Sequence, residues 1–388
     1  MKTFRAIVLG LGAMGSATLH HLAKRGHRAL GIDRHSPPHA FGSSHGDTRI
    51  TRLAIGEGAH FTPLALRSHA LWRELERETG TTLLTSNGGL FISSPRRSTA
   101  MHVPDFFANT LAAAREHLIA HEVLEAPAIR RRFPPFNVAD DEYGYFEPEA
   151  GFLRPEACIR AHLESAERRG SEIHRNETVT GFDVSARGVT VATDRGRYSA
   201  ERLIVAAGSW LPTLVDRTLA RHFKIYRQEL YWFAIDGEPA PFLPAAFPIF
   251  IWELQGRSRG LYGFPALDGP QGGVKAATEQ FDVETTADAA RPPPTPADSA
   301  AVHAELIAPF LSGLSARCVK AATCLYTVTP DFGFVIDGHP DSDRVLIVAP
   351  CSGHGFKHSP AVGEAAAAWA DEGVTPFDFA AFKLARFS

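Results

Sequence analysis

Phe4-Arg5-Ala6-Ile7-Val8-Leu9-Gly10-Leu11-Gly12-Ala13-Met14-Gly15 joins an apolar run, a glycine-rich turn and the start of a helical pattern. Phe4 to Leu9 suits a buried strand. From Ala13 to Arg25 the spacing becomes helical, with Leu19, Leu22 and Ala23 on one face and Gly26 as the stop. A second strand, Arg28 to Ile32, ends on Asp33. Strand, glycine turn, helix and strand in this order begin a doubly wound α/β sheet that binds a dinucleotide. Gly10 permits the turn, Gly12 lets a pyrophosphate approach the backbone, and Gly15 lets the helix pack on the strand. The helix N-terminus, with Ala13 and Met14, then faces the phosphates with its positive dipole end. Asp33 stands where a carboxylate accepts both ribose hydroxyls. The turn alone does not separate NAD from FAD; one copy is enough for a flavoenzyme reoxidised by oxygen.

Beyond Asp33, Pro37-Pro38 and the residues to Asp47 read as loop, and helices are expected over Leu64–Thr79, Phe106–His117 and within 151–169. Ile173–Asp183, Val189–Thr193 and Leu203–Ala207 read as strands; the last, continuous and ending at Gly208, returns the chain to the nucleotide sheet. From Tyr226 to Glu279, alternating segments such as Leu230–Ile235 and Phe247–Leu254 suit an antiparallel sheet. The proline-rich stretch from Arg291 to Pro296 reads as an exposed linker before a helix near Ser299–Leu311. Val345–Ala349 is one more buried strand, with a small-residue helix, Ser359–Ala370, behind it. The expected fold is α/β. A discontinuous Rossmann-like domain (1–90, 150–220, 325–388) joins a second domain (91–149, 221–324) built on a mostly antiparallel sheet plus helices.

With 388 residues, 44% of them hydrophobic and 21% charged, two domains can be packed. Forty Lys+Arg against 43 Asp+Glu leave a net charge of -3, which offers no footprint for nucleic acid or an anionic membrane. A small molecule is the expected partner. No apolar stretch approaches the ~20 residues of a membrane span and no signal-peptide pattern opens the chain, so a cytoplasmic protein is expected. The four cysteines have no C-x-x-C spacing, which fits a reducing compartment and no zinc site.

Four further segments carry chemistry. Gly42-Ser43-Ser44-His45-Gly46-Asp47-Thr48-Arg49-Ile50-Thr51-Arg52 suits an anion or an electron-rich ring, or is a solvated loop whose arginines pair with surface acids such as Glu57. Lys275 follows Tyr262-Gly263-Phe264-Pro265 on a strand, where it is either an exposed lysine or a fixed positive charge. Cys324, in Cys324-Leu325-Tyr326-Thr327, is either a buried structural thiol or a nucleophile, which nearby positive charge would activate by lowering its pKa. Ser352-Gly353-His354-Gly355-Phe356-Lys357 can pass its backbone close over a ring. Cys158, Cys318 and Cys351 are expected to be structural.

On these segments, and along nearly its whole length, the chain resembles the family of monomeric sarcosine oxidase and N-methyl-tryptophan oxidase. The resemblance implies FAD, linked through Cys324 to the flavin 8α-methyl group. It implies Arg49 against the flavin, Arg52 and Lys357 on the substrate carboxylate, and oxygen activation at Lys275, with His45 and Tyr262 also catalytic. Tyr326, Ile251, Trp252 and Glu279 would meet substrate. Ser44, Thr48, Val179, Ala207, Gly208, Trp210, Gly353, Gly355 and Phe356 would meet FAD. Ser44 and Glu279 each stand where the family has histidine. The implied reaction is oxidative demethylation of an N-methyl α-amino acid with oxygen, by a monomer, giving formaldehyde and hydrogen peroxide. The Glu279 departure also admits a cyclic imino acid, a deglycating substrate or a cationic amine. A flavin-binding protein without turnover is the reading from another class.

Overall fold

The computed structural model describes residues 3–98, 101, 103–349 and 351–387. Its opening strand, Thr3–Leu9, runs parallel to Ala29–Asp33 on one side and to Arg197–Val205 on the other. Glu172–Arg175 continues the parallel set past Ala29–Asp33, and Ser342–Ala349 continues it past residues 203–205. Ala6, Ile7, Val8, Leu203, Ile204 and Val205 are all inaccessible to solvent, so these strands are buried on both faces, as their unbroken apolar runs require. Val179–Ser185, Gly188–Thr193 and Val335–His339 add antiparallel strands, making eight.

Helix Ala13–Lys24 packs against Pro155–Arg168 and Ser359–Glu372. Small residues set how close the last pair comes. A Cβ added at Gly363 would lie 2.6 Å from the carbonyl carbon of Ala17 and 2.7 Å from the Thr18 nitrogen, so the two backbones nearly touch.

The second sheet has nine strands. Lys224–Ile235 pairs with Leu314–Val328, Val274–Ala277 and Glu284–Thr285; beyond Val274–Ala277 come Leu261–Phe264, Ile249–Trp252, Gly89–Ser93, Tyr143–Glu147 and Glu122–Glu125. Ile249–Trp252 beside Gly89–Ser93 is its parallel pair; the others are antiparallel. The α/β class, with a Rossmann-like sheet and a mostly antiparallel one, is therefore observed.

Local chemistry moved two boundaries. The strand expected over 173–183 breaks at Asn176, whose φ of 54° leaves the extended region, giving two strands, Glu172–Arg175 and Val179–Ser185. The helix expected from Ser299 starts at Pro296, because Thr295 and Asp298 form a capping box around a proline already suited to the first turn. It passes into a π-turn over His303–Ile307.

Candidate active site

A crevice runs along the carboxyl ends of the parallel strands. Gly10, Gly12, Ala13 and Met14 line it after the first strand, Asp33 after the second, Ala207, Gly208 and Trp210 after Arg197–Val205, and Gly353, Gly355 and Phe356 after Ser342–Ala349. Gly10 has φ 82°, and a Cβ there would stand 2.6 Å from the Ala206 carbonyl oxygen. Asp33 is fixed by two backbone donors, Leu11 N and His35 N, each at 2.8 Å.

A second cavity adjoins the crevice; Arg49, Tyr326, Gly353 and Phe356 line both. Arg49 is pinned by its own loop, donating to the carbonyls of Thr48 at 2.7 Å and Ser43 at 2.6 Å. The cavity wall also carries Thr48, Arg52, Glu57, Ile251, Tyr262, Lys275, Glu279, Cys324 and Lys357. Residues from the N-terminal loop, the antiparallel sheet and the last loop thus meet in one space.

The family described as FAD dependent oxidoreductase matches residues 5–369. This chain belongs to it. A monomeric sarcosine oxidase of Streptomyces avermitilis is 40% identical to this FAD-dependent oxidoreductase, over 100% of this chain and 98% of the relative. An N-methyl-L-tryptophan oxidase of Yersinia pestis is 35% identical over 98% of each. The solved structure of NikD, an amino acid oxidase of nikkomycin biosynthesis, superposes with TM-score 0.83 at 23% identity, over 99% of this chain and 98% of that one, a likeness of fold.

The crevice fits FAD on its own chemistry. Helix Ala13–Lys24 starts from Gly12, with no acid in its first turn, so its N-terminal N–H groups meet a pyrophosphate without charge repulsion. Ser44 approaches the same helix start, its Oγ accepting from Ala13 N at 3.3 Å. Gly15 lies behind the crevice: a Cβ there would fall 1.7 Å from the Gly10 oxygen, so its role is to let the helix sit on the turn.

Lys275 is buried. Its ammonium donates to the Gly46 carbonyl at 2.7 Å and to Thr48 Oγ1 at 3.0 Å, and stands over the rings of Phe264 and Trp232 at 4.9 and 5.1 Å. Burial, then Arg49, pushes its pKa well below the ordinary lysine value. Burial also lowers Lys357, to about 8, against the opposing pull of Glu57; it donates to the His354 carbonyl at 2.7 Å. Tyr326 and Tyr262 share a hydrogen bond at the cavity wall, and burial raises both phenols.

Several expectations are corrected. Glu57 is no surface acid. Its side chain and that of Arg52 are each 2% exposed, and Arg52 Nη2 donates to both of its oxygens at 2.8 and 2.6 Å. Pairing with Glu57 was one reading of the loop, but its burial was not. Cys324 is buried, and desolvation raises its pKa even though Arg49 and Lys275 pull it down, so the expected net lowering is not seen. Trp252 does not line the cavity; side chains alternate along its strand, and its indole donates to Glu142 at 2.8 Å in the core behind. Val179 packs against the buried core of the parallel sheet and does not line the crevice. His45 borders a separate open groove with Lys320 and Arg291, and burial followed by Arg49 and Lys275 lowers it to about 3, so its imidazole is neutral. Thr48 and Cys324 face the second cavity. Met101 and Phe106, unmarked by any motif, complete its apolar wall with Phe264.

Proposed function

We propose that this FAD-dependent oxidoreductase oxidises N-methyl or other secondary α-amino acids, releasing the amino acid and formaldehyde from an N-methyl substrate, with oxygen reduced to hydrogen peroxide. One observation carries the reading: Arg52, Lys357, Lys275 and Cys324 line a single cavity that adjoins the dinucleotide crevice. Arg52 and Lys357 bind the substrate carboxylate, as a guanidinium fork and an ammonium suit two acceptor oxygens. Ile251, Met101 and Phe106 form the apolar wall that excludes water from the amine side. Bound FAD supplies the hydride acceptor and passes the electrons to oxygen. Lys275 supplies positive charge where negative charge develops on oxygen, and Arg49 and Tyr262 orient the same region. The imine left on the substrate hydrolyses. Cys324 carries the covalent link, with Arg49 and Lys275 opposing the larger effect of burial, which raises its pKa. The FAD-binding unit is 1–90, 150–220 and 325–388, the rest forming the substrate unit, in a cytoplasmic monomer.

A peroxide assay over N-methyl amino acids, proline, pipecolate and fructosyl amino acids tests the reading. Peroxide from an N-methyl amino acid is expected. Silence on all of these, with a response to one of the others, moves the function to that substrate; a flavin that no amine bleaches without oxygen makes the chain a binding protein.

A further inference from the structure

The strand Arg49–Thr51 pairs with Gly151–Leu153 and ends at Thr51, just before Arg52. The next two backbone N–H groups are taken by one side chain from the other sheet. Glu147, the last residue of Tyr143–Glu147, is inaccessible to solvent; its Oε1 accepts from Leu53 N at 2.7 Å, and its Oε2 from Ala54 N at 3.2 Å and from the Tyr145 hydroxyl at 2.9 Å. The Ala54 carbonyl in turn accepts from Arg52 Nη1 at 2.9 Å. Phe91 packs on both ends of this chain of bonds, its ring stacked 5.5 Å from that of Tyr145 and 5.2 Å from the Arg52 guanidinium. Burial pushes the Glu147 pKa up, against the pull of the same three donors and of Arg52. Its two oxygens serve both backbone donors in either protonation state, because the Tyr145 hydroxyl can donate or accept.

We propose that Glu147 is a positioning residue of the carboxylate clamp, its two oxygens holding the backbone of Leu53 and Ala54 so that Arg52 meets the substrate carboxylate in a preset orientation. This deepens the function proposed above and rests on its reading of Arg52. A guanidinium holds a carboxylate through directional bonds, so its grip depends on its orientation as well as its charge. Arg52 takes that orientation from two acceptors, Glu57 and the Ala54 carbonyl. The second belongs to the residue whose own N–H Glu147 fixes. A glutamine of the same shape cannot do this. An amide has one acceptor oxygen, and turned either way its NH2 group meets Leu53 N or Ala54 N, leaving a buried donor unpaired. Glu147 also belongs to the sheet that carries Ile251 and Lys275, so it ties the loop bearing Arg52 to the opposite wall of the cavity.

The test titrates 3,3-dimethylbutanoate, an acid with no amine to oxidise, into flavin-loaded protein by absorbance. Glu147→Gln is expected to weaken its binding about tenfold or more. Arg52→Lys keeps a positive charge beside Glu57 but loses the directed guanidinium; it is expected to weaken the acid by a similar factor, and the double variant by no more than either single one. Unchanged affinity in Glu147→Gln overturns the proposal, and so do losses that multiply in the double variant, because Glu147 would then act by a route other than Arg52. An Arg52→Lys protein that binds the acid as the wild type does, or a wild type that does not bind it, overturns the clamp itself. Anaerobic reduction by N-methylglycine separates positioning from general loosening. In Glu147→Gln the dissociation constant rises about tenfold or more while the limiting rate stays within about threefold, because Lys357 still places the carboxylate at saturation. A limiting rate that falls as far as the affinity marks a merely structural role and overturns the proposal; a wild type that N-methylglycine never reduces overturns the proposed function instead. Tyr145→Phe keeps the ring on Phe91 and removes one donor from Glu147. It is expected to weaken the acid about threefold, and it decides the question if Glu147→Gln does not fold, an unchanged affinity there overturning the proposal.

Discussion

Cys324, Lys275 and Lys357 come from three segments and line one cavity, each with a role that a single substitution isolates. Denatured wild-type protein is expected to carry a mass increment equal to FAD, and Cys324→Ala to lack it; an increment that survives refutes the link. Lys275→Met is expected to slow flavin reoxidation by about 100-fold or more while barely changing anaerobic reduction, because it removes charge stabilisation from the oxygen step alone. Stopped-flow rates that fall equally in both halves would refute that division. Lys357 sits at about 8 because burial disfavours its charged form. Its charge is present below that pH and lost above it, so carboxylate affinity should fall as pH rises through about 8. Lys357→Met should flatten that limb of the KM profile. These three residues were legible in the sequence because their types and neighbouring motifs announced chemistry. The burial of Arg52 was not, since the rings of Phe91 and Phe106, which lie 5.2 and 4.9 Å from its guanidinium, come from distant segments.

Between elements, the contact of Ala13–Lys24 with Ser359–Glu372 depends on Gly363. Replacing it with alanine gains about 1 kcal/mol of helix propensity, but the new Cβ collides with backbone that has no rotamer in which to yield. Overpacking costs about 1–3 kcal/mol, so Gly363→Ala should lower stability in urea unfolding; a gain would show that the helices separate freely. The strands and helices with strong periodicity were legible to within a few residues, Leu64–Thr79 becoming Thr62–Thr79. The break at Asn176 and the π-turn at His303–Ile307 were not, because each is a backbone choice made by a few residues against an unchanged hydrophobic pattern. The facing of Trp252 was likewise undecided until its strand's register was known.

At the scale of the whole molecule, the parallel sheet supplies the crevice and the antiparallel sheet one wall of the cavity. The glycine turn made the first legible, while the junction at Arg49, Tyr326, Gly353 and Phe356 depends on long-range pairing that no local pattern encodes. A ligand that binds only the folded chain raises its Tm with concentration. Cys324→Ala should therefore melt at a temperature that climbs with added FAD, and the wild type, already loaded, at one that does not. Matching responses would count against the tether. Gly10 and Gly353 face one crevice although 342 intervening residues separate them along the chain. During synthesis the glycine turn emerges from the ribosome long before its opposite wall exists, so colour can be acquired only once translation has passed Phe356.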